Sequence, residues 1–351
     1  MKPKKRIKKL SLLEKLIFLI NSVLATVLLL SYIVPYISPK TIPQLSLVSL
    51  AVPFLIIANT LFLIYWILKF KKQFTISALV LTIGWLISSS FYQFSEKKII
   101  SNDDIKVMSY NVRMFNHYNW NDDSELDKKT IEFIKQKSPD ILVLQEFYQS
   151  PKINFSYPHK YIKTKGGKNK FGLAIYSKYK IINSGSFNFK QSANNIIFTD
   201  ILKNKDTIRV YNIHLESLKI NPNKEYFGEE TSEKLFGRLQ STFKQQATQT
   251  EQFLAHESNW KGKKIVCGDF NNTAYSWVYK KISSNKKDAF VTAGKGFGKT
   301  FDYPFPMRID FILTSQEIEI NQFKTFNEKF SDHFPILARV NWQTSLPSKN
   351  K

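Results

Sequence analysis

The feature that most constrains this chain is a set of three uncharged apolar stretches near its N-terminus, at residues 16–37, 45–68 and 74–91. A helix needs about 17–25 such residues to cross the hydrocarbon core of a bilayer. One charge at the centre of a crossing helix costs about 3 kcal/mol, so long runs without a charge are hard to explain as a soluble core. The sequence therefore predicts three transmembrane helices within an anchor, residues 1–99. A signal peptide is the weaker alternative, because no small-residue cleavage site follows the first stretch.

The distribution of lysine predicts the orientation of these helices. Seven basic residues precede the first stretch, and Lys69, Lys71 and Lys72 lie between the second and the third. The loop between the first and the second holds only Lys40. Basic loops stay in the cytoplasm, so three crossings would place residues 100–351 on the outer side of an inner or plasma membrane. A lysine pair that follows the third stretch, at 97–98, counts against this orientation.

The remainder of the chain has the composition of an α/β protein. It predicts one catalytic domain over residues 100–345 and a disordered tail over 346–351. Of the formal charge of +23, residues 1–99 carry +11 and the rest carries +12. A basic domain favours a polyanion such as nucleic acid or an anionic lipid surface, although lysines spread over a solvated face would give the same total. The single cysteine, Cys267, excludes an internal disulfide framework.

Short apolar segments alternate with amphipathic ones after residue 104. Apolar runs predict strands, and apolar residues at helical spacing predict a long helix over 235–254 and a shorter one over 124–137. Such an order is typical of layered α/β folds with packed sheets. The predicted strands cover residues 105–113, 141–146, 171–176, 196–202, 207–215, 264–267, 309–314 and 336–340.

Polar side chains cluster where these apolar runs end, and loops at strand ends are where a rigid scaffold presents functional groups. Each residue alone would be an ordinary loop, turn or capping residue. Their combination indicates a site. The residues are Asn111, Glu146, His214, Asp269, Asn271, Asp310, Asp332 and His333.

The segments that carry these residues resemble, in order, the motifs of the endonuclease/exonuclease/phosphatase superfamily. The matching stretches are MSYNVR, PDILVLQE, FGLAIYSK, VYNIHLES, IVCGDFN, RIDFIL and SDHFPI. This superfamily includes pancreatic-type deoxyribonucleases, abasic-site endonucleases, bacterial sphingomyelinases and inositol-polyphosphate phosphatases. The resemblance implies a four-layer sandwich of two packed mixed β-sheets flanked by helices. It also implies hydrolysis of a phosphate ester by an activated water.

The resemblance further implies a divalent metal, Mg²⁺ or Mn²⁺, with Glu146 as its principal ligand and Asn111 beside it. Asp332 would join the coordination in some metal-bound states. Hard cations prefer such oxygen ligands and keep several waters, so one or two carboxylates suffice.

The other motif residues would act on the water and the phosphate. Asp269 would orient and deprotonate the water, and Asn271 would hydrogen-bond the phosphoryl oxygen. His333 would contact the phosphate, with Asp310 fixing the orientation of its ring. His214 matches the second histidine of the deoxyribonuclease and sphingomyelinase branches. Deoxyribonucleases support this histidine with a glutamate before the FGLAI-like strand, a neighbourhood that holds no acid here, so phosphate binding is the safer role for it.

The substrate is the least constrained part of the prediction. The charge of the soluble part and the Lys-rich loop 163–170 favour a phosphodiester polymer, most simply nucleic acid. A lipid-headgroup phosphodiesterase or a phosphatase is the alternative, because an anchor places the site near a bilayer. A catalytically silent binding module is a further class, and the complete set of acids and histidines argues against it. The bilayer is an expected partner through the N-terminal helices, and no protein partner is inferred.

Overall fold

The computed structural model describes residues 10–88, 91–166, 169–190, 192–219 and 232–342. The predicted tail, 346–351, lies outside the described residues. Seven α-helices and twelve strands occur in the described part. The helices are α1 (Leu12–Ser31), α2 (Pro43–Leu68), α3 (Phe74–Ile87), α4 (Leu126–Lys137), α5 (Ser232–Ser258), α6 (Trp277–Ile282) and α7 (Ala289–Ala293).

The first two helices are long and apolar enough to cross a bilayer, but α3 is not. Helix α1 has 20 residues and α2 has 26, which correspond to about 30 Å and 39 Å. Helix α3 has 14 residues, or about 21 Å, so the prediction of three full-length spanning helices is wrong in its third member. Three successive serines follow Ile87 in the sequence, and serine competes with the backbone for hydrogen bonds and disfavours helix continuation.

Buried polar side chains join the three N-terminal helices. Asn21 on α1 donates from Nδ2 to Oγ of Ser77 on α3 at 2.7 Å, and its Oδ1 accepts from Nε1 of Trp66 on α2 at 3.0 Å. Ser77 in turn donates to Oδ1 of Asn59 on α2 at 3.3 Å. Such hydrogen bonds orient helices where apolar contact alone gives little specificity.

The rest of the chain forms two six-stranded mixed sheets. The first has the order β11-β12-β1-β2-β4-β3 and the second the order β5-β6-β7-β8-β10-β9. The prediction of two mixed sheets flanked by helices is confirmed. The strands are β1 (Ile105–Asn111), β2 (Ile141–Tyr148), β3 (His159–Gly166), β4 (Asn169–Ser177), β5 (Lys180–Ser186), β6 (Asn195–Lys203), β7 (Asp206–His214), β8 (Lys264–Asp269), β9 (Lys286–Asp288), β10 (Asp310–Ser315), β11 (Glu319–Thr325) and β12 (Ile336–Asn341).

Successive side chains of each strand point to opposite faces of its sheet, so one face packs on the other sheet and the opposite face packs on helices. In β1, Ile105 and Val107 point into the core between the two sheets, whereas Met108 packs in the cluster that contains Ile134 of α4. On the other sheet, Val266 of β8 packs with Phe253 of α5. The resulting order of layers is helix, sheet, sheet, helix.

All eight predicted strands occur, with ends shifted by a few residues, but four strands were missed. All four of the missed strands lie at sheet edges, namely β3, β5, β9 and β11. They lack the long apolar runs on which the prediction of strands depends. Edge strands commonly carry lysine, which blocks pairing with other chains. The short elements β9, α6 and α7 have only three, six and five residues, which is too few for a periodic pattern to be recognised.

The N-terminal helices pack directly on the sheet-containing part of the chain. Thr273 Oγ1 donates to the backbone oxygen of Ser49 in α2 at 2.9 Å, and Ser49 Oγ donates to Asn272 Oδ1 at 3.2 Å. Tyr275 is buried in the apolar cluster of α1, α2 and α3. The first half of α2 therefore lies against the loop that follows β8.

Candidate active site

Two pairs of parallel strands bring the predicted site residues to one edge of the sandwich. Asn111 ends β1, and Glu146 lies near the end of its parallel neighbour β2. His214 ends β7 and stands opposite Asp269, which ends the parallel strand β8. Asp310 begins β10 and is paired with Asp269 from the other side. The register of the second sheet thus sets His214, Asp269 and Asp310 in one row.

Gly268 allows the close approach of strands at this row. It has a φ of +135°, and a Cβ atom there would lie 1.9 Å from the backbone oxygen of Ile213. A larger residue would push β7 and β8 apart immediately before His214 and Asp269. The glycine of the GDFN motif is thus needed for the geometry of the catalytic edge.

His333 connects the two acids of the row. Its Nδ1 lies 2.9 Å from Asp310 Oδ2, and its Nε2 lies 3.6 Å from Asp269 Oδ2. Burial alone would lower the pKa of His333, but the carboxylates of Asp310 and Asp269 outweigh that effect and raise it well above the ordinary value. The Thr300 hydroxyl accepts from the backbone nitrogen of Asp310 at 3.1 Å and holds the start of β10. The ring is therefore held in one orientation.

Asp269 is nearly inaccessible and accepts two hydrogen bonds. The backbone nitrogen of Asn271 donates to its Oδ1 at 2.7 Å, and Asn111 Nδ2 donates to its Oδ2 at 3.0 Å. Burial raises the pKa of Asp269, and His333 opposes the rise. A carboxylate with a raised pKa can take a proton from water more readily than an exposed aspartate.

Asn271 lies beside Asp269 in a left-handed backbone conformation, with a φ of +49°. Its Nδ2 donates to the backbone oxygen of Leu215 at 2.8 Å, which ties the GDFN turn to the end of β7. The side chain also lines a cavity shared with His333. Its predicted contact with a phosphoryl oxygen stays a prediction.

Glu146 lies at an irregularity of β2, between Leu144 and Phe147, with a φ of +48°. Its Oε1 accepts from Asn111 Nδ2 at 3.3 Å. Burial and the nearby Asp332 raise its pKa, which means that the charged form is costly there. A divalent cation would relieve that cost, and oxygen donors suit a hard cation.

The other two predicted ligands have additional contacts. Asn111 Oδ1 accepts from the backbone nitrogen of Arg113 at 3.1 Å, so its amide acts as a donor between the two carboxylates. Asp332 forms an ion pair with Arg113 at 3.2 Å. Separately, one donor atom each of Asp269, Asp310 and His333 lie within 4.8 Å of one another, close enough for a metal ion. The donor set of the edge as a whole thus fits a divalent metal.

His214 lies on the opposite side of Asp269 from Asp310. Its Nε2 is 3.7 Å from Asp269 Oδ2 and 3.9 Å from Glu146 Oε1, and it makes no hydrogen bond within the described residues. Burial lowers the pKa of His214 to about 3, and His333 adds to the effect. A ring with so low a pKa is neutral near pH 7, and the role of His214 in binding phosphate stays a prediction.

Two cavities meet at Glu146. The larger, 640 Å³, is also lined by His214, Lys163, Lys165 and Lys219. The smaller, 250 Å³, is lined by Asn271, Asp332 and His333 on one side. The remaining lining is mostly apolar, with Ser217 and Lys219 among the apolar residues Leu50, Leu218, Phe301, Tyr303, Met307 and Ile309.

Sequence reasoning missed several residues that shape this site. Arg113 lies 4.4 Å from the ring centroid of Trp120 and pairs with Asp332, and its place in the NVR motif was the available signal. Thr300 and Leu50 lie far from the motifs, in segments without a recognisable pattern. Their contribution follows from tertiary packing alone.

The comparisons agree with this geometry. Residues 108–333 match the model of the endonuclease/exonuclease/phosphatase family, and residues 14–91 match the model of a domain of unknown function, DUF8431. No curated protein matches the chain significantly.

Solved structures of other proteins share the fold at low sequence identity. The human Nocturnin catalytic domain with bound sulfate has a TM-score of 0.51 at 18% identity, over 72% of this chain and 97% of that one. TDP2 of D. rerio with a single-strand DNA product has 0.50 at 16%, over 68% and 100%. A mannosyl-6-phosphatase of Bacteroides thetaiotaomicron has 0.50 at 16%, also over 68% and 100%. At these identities the likeness shows the fold alone.

The fold, the acidic edge and these matches define a metal-dependent phosphoric ester hydrolase. The chain belongs to the endonuclease/exonuclease/phosphatase family, whose model covers about two thirds of it.

Proposed function

We propose that this protein is a membrane-anchored hydrolase that cleaves a phosphate ester by in-line attack of water. The observation that carries the proposal is the position of Asp269, which is buried between His333 and Asn111 and lies in the same site as Glu146. Few other chemistries need an acceptor for a proton, a fixed imidazole and a set of oxygen donors within one pocket.

In this mechanism Asp269 accepts a proton from the attacking water as the new bond from oxygen to phosphorus forms. The bond to the leaving oxygen breaks, and its electron pair goes to that oxygen. His333, held at Nδ1 by Asp310, would donate from Nε2 to a phosphoryl oxygen as its negative charge grows. The second amide hydrogen of Asn271 would do the same. His214 would contact the phosphate as a neutral ring.

A divalent metal would be held by Glu146, with Asn111 and Asp332 beside it, and would neutralise phosphate charge and stabilise the leaving oxygen. Mg²⁺ or Mn²⁺ suits these oxygen donors. Within the described residues, histidine and cysteine do not form the four-ligand cluster that a structural zinc needs.

Nucleic acid is a candidate substrate because of three lysines. Lys163, Lys165 and Lys219 line the larger cavity together with His214 and Glu146, so a phosphodiester chain could run from the lysines to the catalytic edge. Binding through such contacts would weaken steeply with salt. The DNA product bound to TDP2 belongs to that protein and only illustrates what the fold can accept.

Anchoring in a membrane is supported by the surface of α1 and α2. Large apolar side chains there are exposed, among them Leu16, Leu19, Leu61 and Ile64. A contiguous exposed apolar surface rimmed by polar residues marks a site of contact with a membrane or another protein.

The orientation is supported by the two ends of the helical bundle. Glu14 and Lys71 pair at one end, and Lys40 of the α1–α2 connection pairs with Glu251 of α5 at the other. The catalytic edge therefore lies away from the lysines after α2. By the positive-inside rule, the lysine end would face the cytoplasm and the catalytic part the outer side.

Cysteine labelling in intact cells tests this orientation. Cys267 is buried and should stay unreactive, so an impermeant maleimide would report on cysteines introduced at exposed sites. We expect Lys205→Cys in the β6–β7 turn to react and Lys72→Cys after α2 to react only in opened cells. The reverse pattern would place the catalytic part in the cytoplasm.

Metal dependence tests the catalytic proposal. We expect the purified full chain to hydrolyse bis(p-nitrophenyl) phosphate with Mg²⁺ or Mn²⁺ and to lose that activity in a chelator. Glu146→Gln should raise the Mg²⁺ concentration for half-maximal rate by about 10–100-fold, because it removes the chief anionic ligand. Glu132→Gln, at an exposed position of α4, is the matched control. An unchanged Mg²⁺ requirement in Glu146→Gln would show the ligand assignment to be wrong.

A further inference from the structure

One wall of the smaller cavity comes from the second N-terminal helix. Leu50 of α2 lines this cavity together with Glu146, Asn271 and His333. Leu50 also packs against an apolar cluster that contains Leu218. Anchoring alone does not require that a side chain of the anchor lines the catalytic pocket.

Most of the remaining lining of this cavity is apolar, with Ser217 and Lys219 as the polar exceptions outside the acidic edge. Tyr303, Met307 and Ile309 face the same cavity. The ring of Phe305 lies 5.3 Å, centroid to centroid, from the ring of Phe54, one turn beyond Leu50 on α2. Apolar side chains thus continue from the cavity to the surface of α2, a helix that carries no charged residue.

The length of α2 indicates how deep Leu50 would lie in a bilayer. A helix needs about 20 residues to cross the hydrocarbon layer, and α2 has 26. Counted back from its lysine end, those 20 residues begin at about Ser49. The extra residues at the N-terminal end, 43–48, include Ser46, which is buried. Leu50 would therefore lie at the edge of the hydrocarbon layer.

We propose that α2 forms part of the substrate site and that the substrate is a phosphate ester with an apolar chain, as in a membrane lipid. The chain would lie against Leu50 and Met307 while the phosphate reaches Glu146 and His333. This inference rests on the proposed hydrolase function. Nucleic acid has no apolar chain to fill this wall, so the geometry favours the amphiphilic ester.

A homologous series of soluble substrates tests the wall directly. Alkyl p-nitrophenyl phosphates, from methyl to octyl, carry the same reacting group and differ only in the chain. With the full chain in bilayer nanodiscs and Mg²⁺, we expect kcat/KM to rise by about tenfold for every two methylenes until the cavity is full. The ratio of kcat/KM for octyl and methyl esters is the readout, because it cancels differences in the amount of active enzyme.

Matched tryptophan variants test where the apolar chain of the substrate lies. Leu50→Trp and Met307→Trp fill the cavity from two different segments of the protein and should each reduce the octyl-to-methyl ratio by about tenfold or more, which corresponds to losing room for two methylenes. Leu61→Trp places the same side chain at a lipid-facing position of α2 that is 62% exposed, and it should keep the wild-type ratio. Leu50→Ala enlarges the cavity and should shift the optimum toward longer chains.

The outcomes separate this inference from the proposed function. A ratio near one in the wild type, with good turnover of the methyl ester, would overturn the inference and leave the hydrolase intact. Plasmid DNA cleavage with that flat ratio would identify nucleic acid as the substrate instead. A steep ratio that survives in both Leu50→Trp and Met307→Trp would place the chain elsewhere and also overturn the inference. No hydrolysis of any ester or of DNA with either metal would contradict both proposals.

Discussion

His333 and His214 lie on opposite sides of Asp269, at 3.6 Å and 3.7 Å from the same carboxylate oxygen, and both are buried. On the first side Asp310 accepts from the other ring nitrogen at 2.9 Å, and the pKa of His333 rises. On the second side Nε2 makes no hydrogen bond within the described residues, and the pKa of His214 falls to about 3. A hydrogen-bonded carboxylate thus outweighs the effect of burial on the pKa of His333, whereas burial dominates at His214.

The largest loss of activity should come from replacing His333, the histidine whose pKa is raised. His333→Ala removes the group that would stabilise the growing charge on phosphate, and we expect kcat to fall by about 10³-fold. The far-ultraviolet circular dichroism spectrum and the melting temperature, compared with those of wild type, show whether the variant is folded. A folded His333→Ala enzyme with near-normal kcat would show that His333 does not have the catalytic role that distinguishes it here from His214.

Asp310→Asn should have the next largest effect. Asparagine keeps the shape of the side chain but loses the charge that fixes the tautomer and raises the pKa of His333. We expect kcat to fall by about 10–100-fold with little change in KM, because substrate binding does not depend on this contact. The fall should be absent when Asp310→Asn is introduced into His333→Ala, since Asp310 would act through that ring. Additive losses would indicate a separate role for Asp310.

The sequence predicted the acidic edge better than the helices. Asn111, Glu146, His214 and Asp269 sit at strand ends, and a parallel register places such ends together without further information. The β2 irregularity at Glu146 and the contact of Asn111 Nδ2 with two carboxylates could not be predicted, because they depend on side-chain packing across both sheets.

For the N-terminal region, hydropathy predicted apolar helices but not where they end or what they contact. Helix α3 ends at Ile87, where Ser88 adopts an extended conformation, and an average over a long window does not detect such an end. The contact of Ser49 and Leu50 with the loop after β8 is a tertiary contact between segments more than 200 residues apart. A pattern read along the chain carries no signal for such contacts, which is why the wall of the smaller cavity was missed.

His214→Ala should have a smaller effect than either variant on the other side. A neutral ring that only hydrogen-bonds phosphate contributes about as much as one ordinary hydrogen bond, so we expect kcat/KM to fall by about tenfold. The pH dependence of kcat should keep its shape between pH 5 and 9, because a group with a pKa of about 3 does not titrate there. A loss equal to that of His333→Ala, or a missing limb of the pH profile, would show that His214 acts as a proton donor.

The smallest effect should come from Glu216, the acid nearest in sequence to His214. Its Oε2 accepts from Gln245 at 2.9 Å and Gln249 at 3.2 Å, both on α5, and also from Ser192. Through Oε2 the carboxylate thus holds the segment after β7 to α5, and among the described residues it makes no hydrogen bond with the His214 ring. Glu216→Gln should lower the free energy of unfolding by about 1 kcal/mol and change kcat by less than about twofold. Denaturant unfolding and steady-state kinetics measure the two quantities. If Glu216→Gln instead reproduced the kinetic defect of His214→Ala, with no further loss in the double variant, Glu216 would be the missing acidic partner, and the two sides of the centre would be alike.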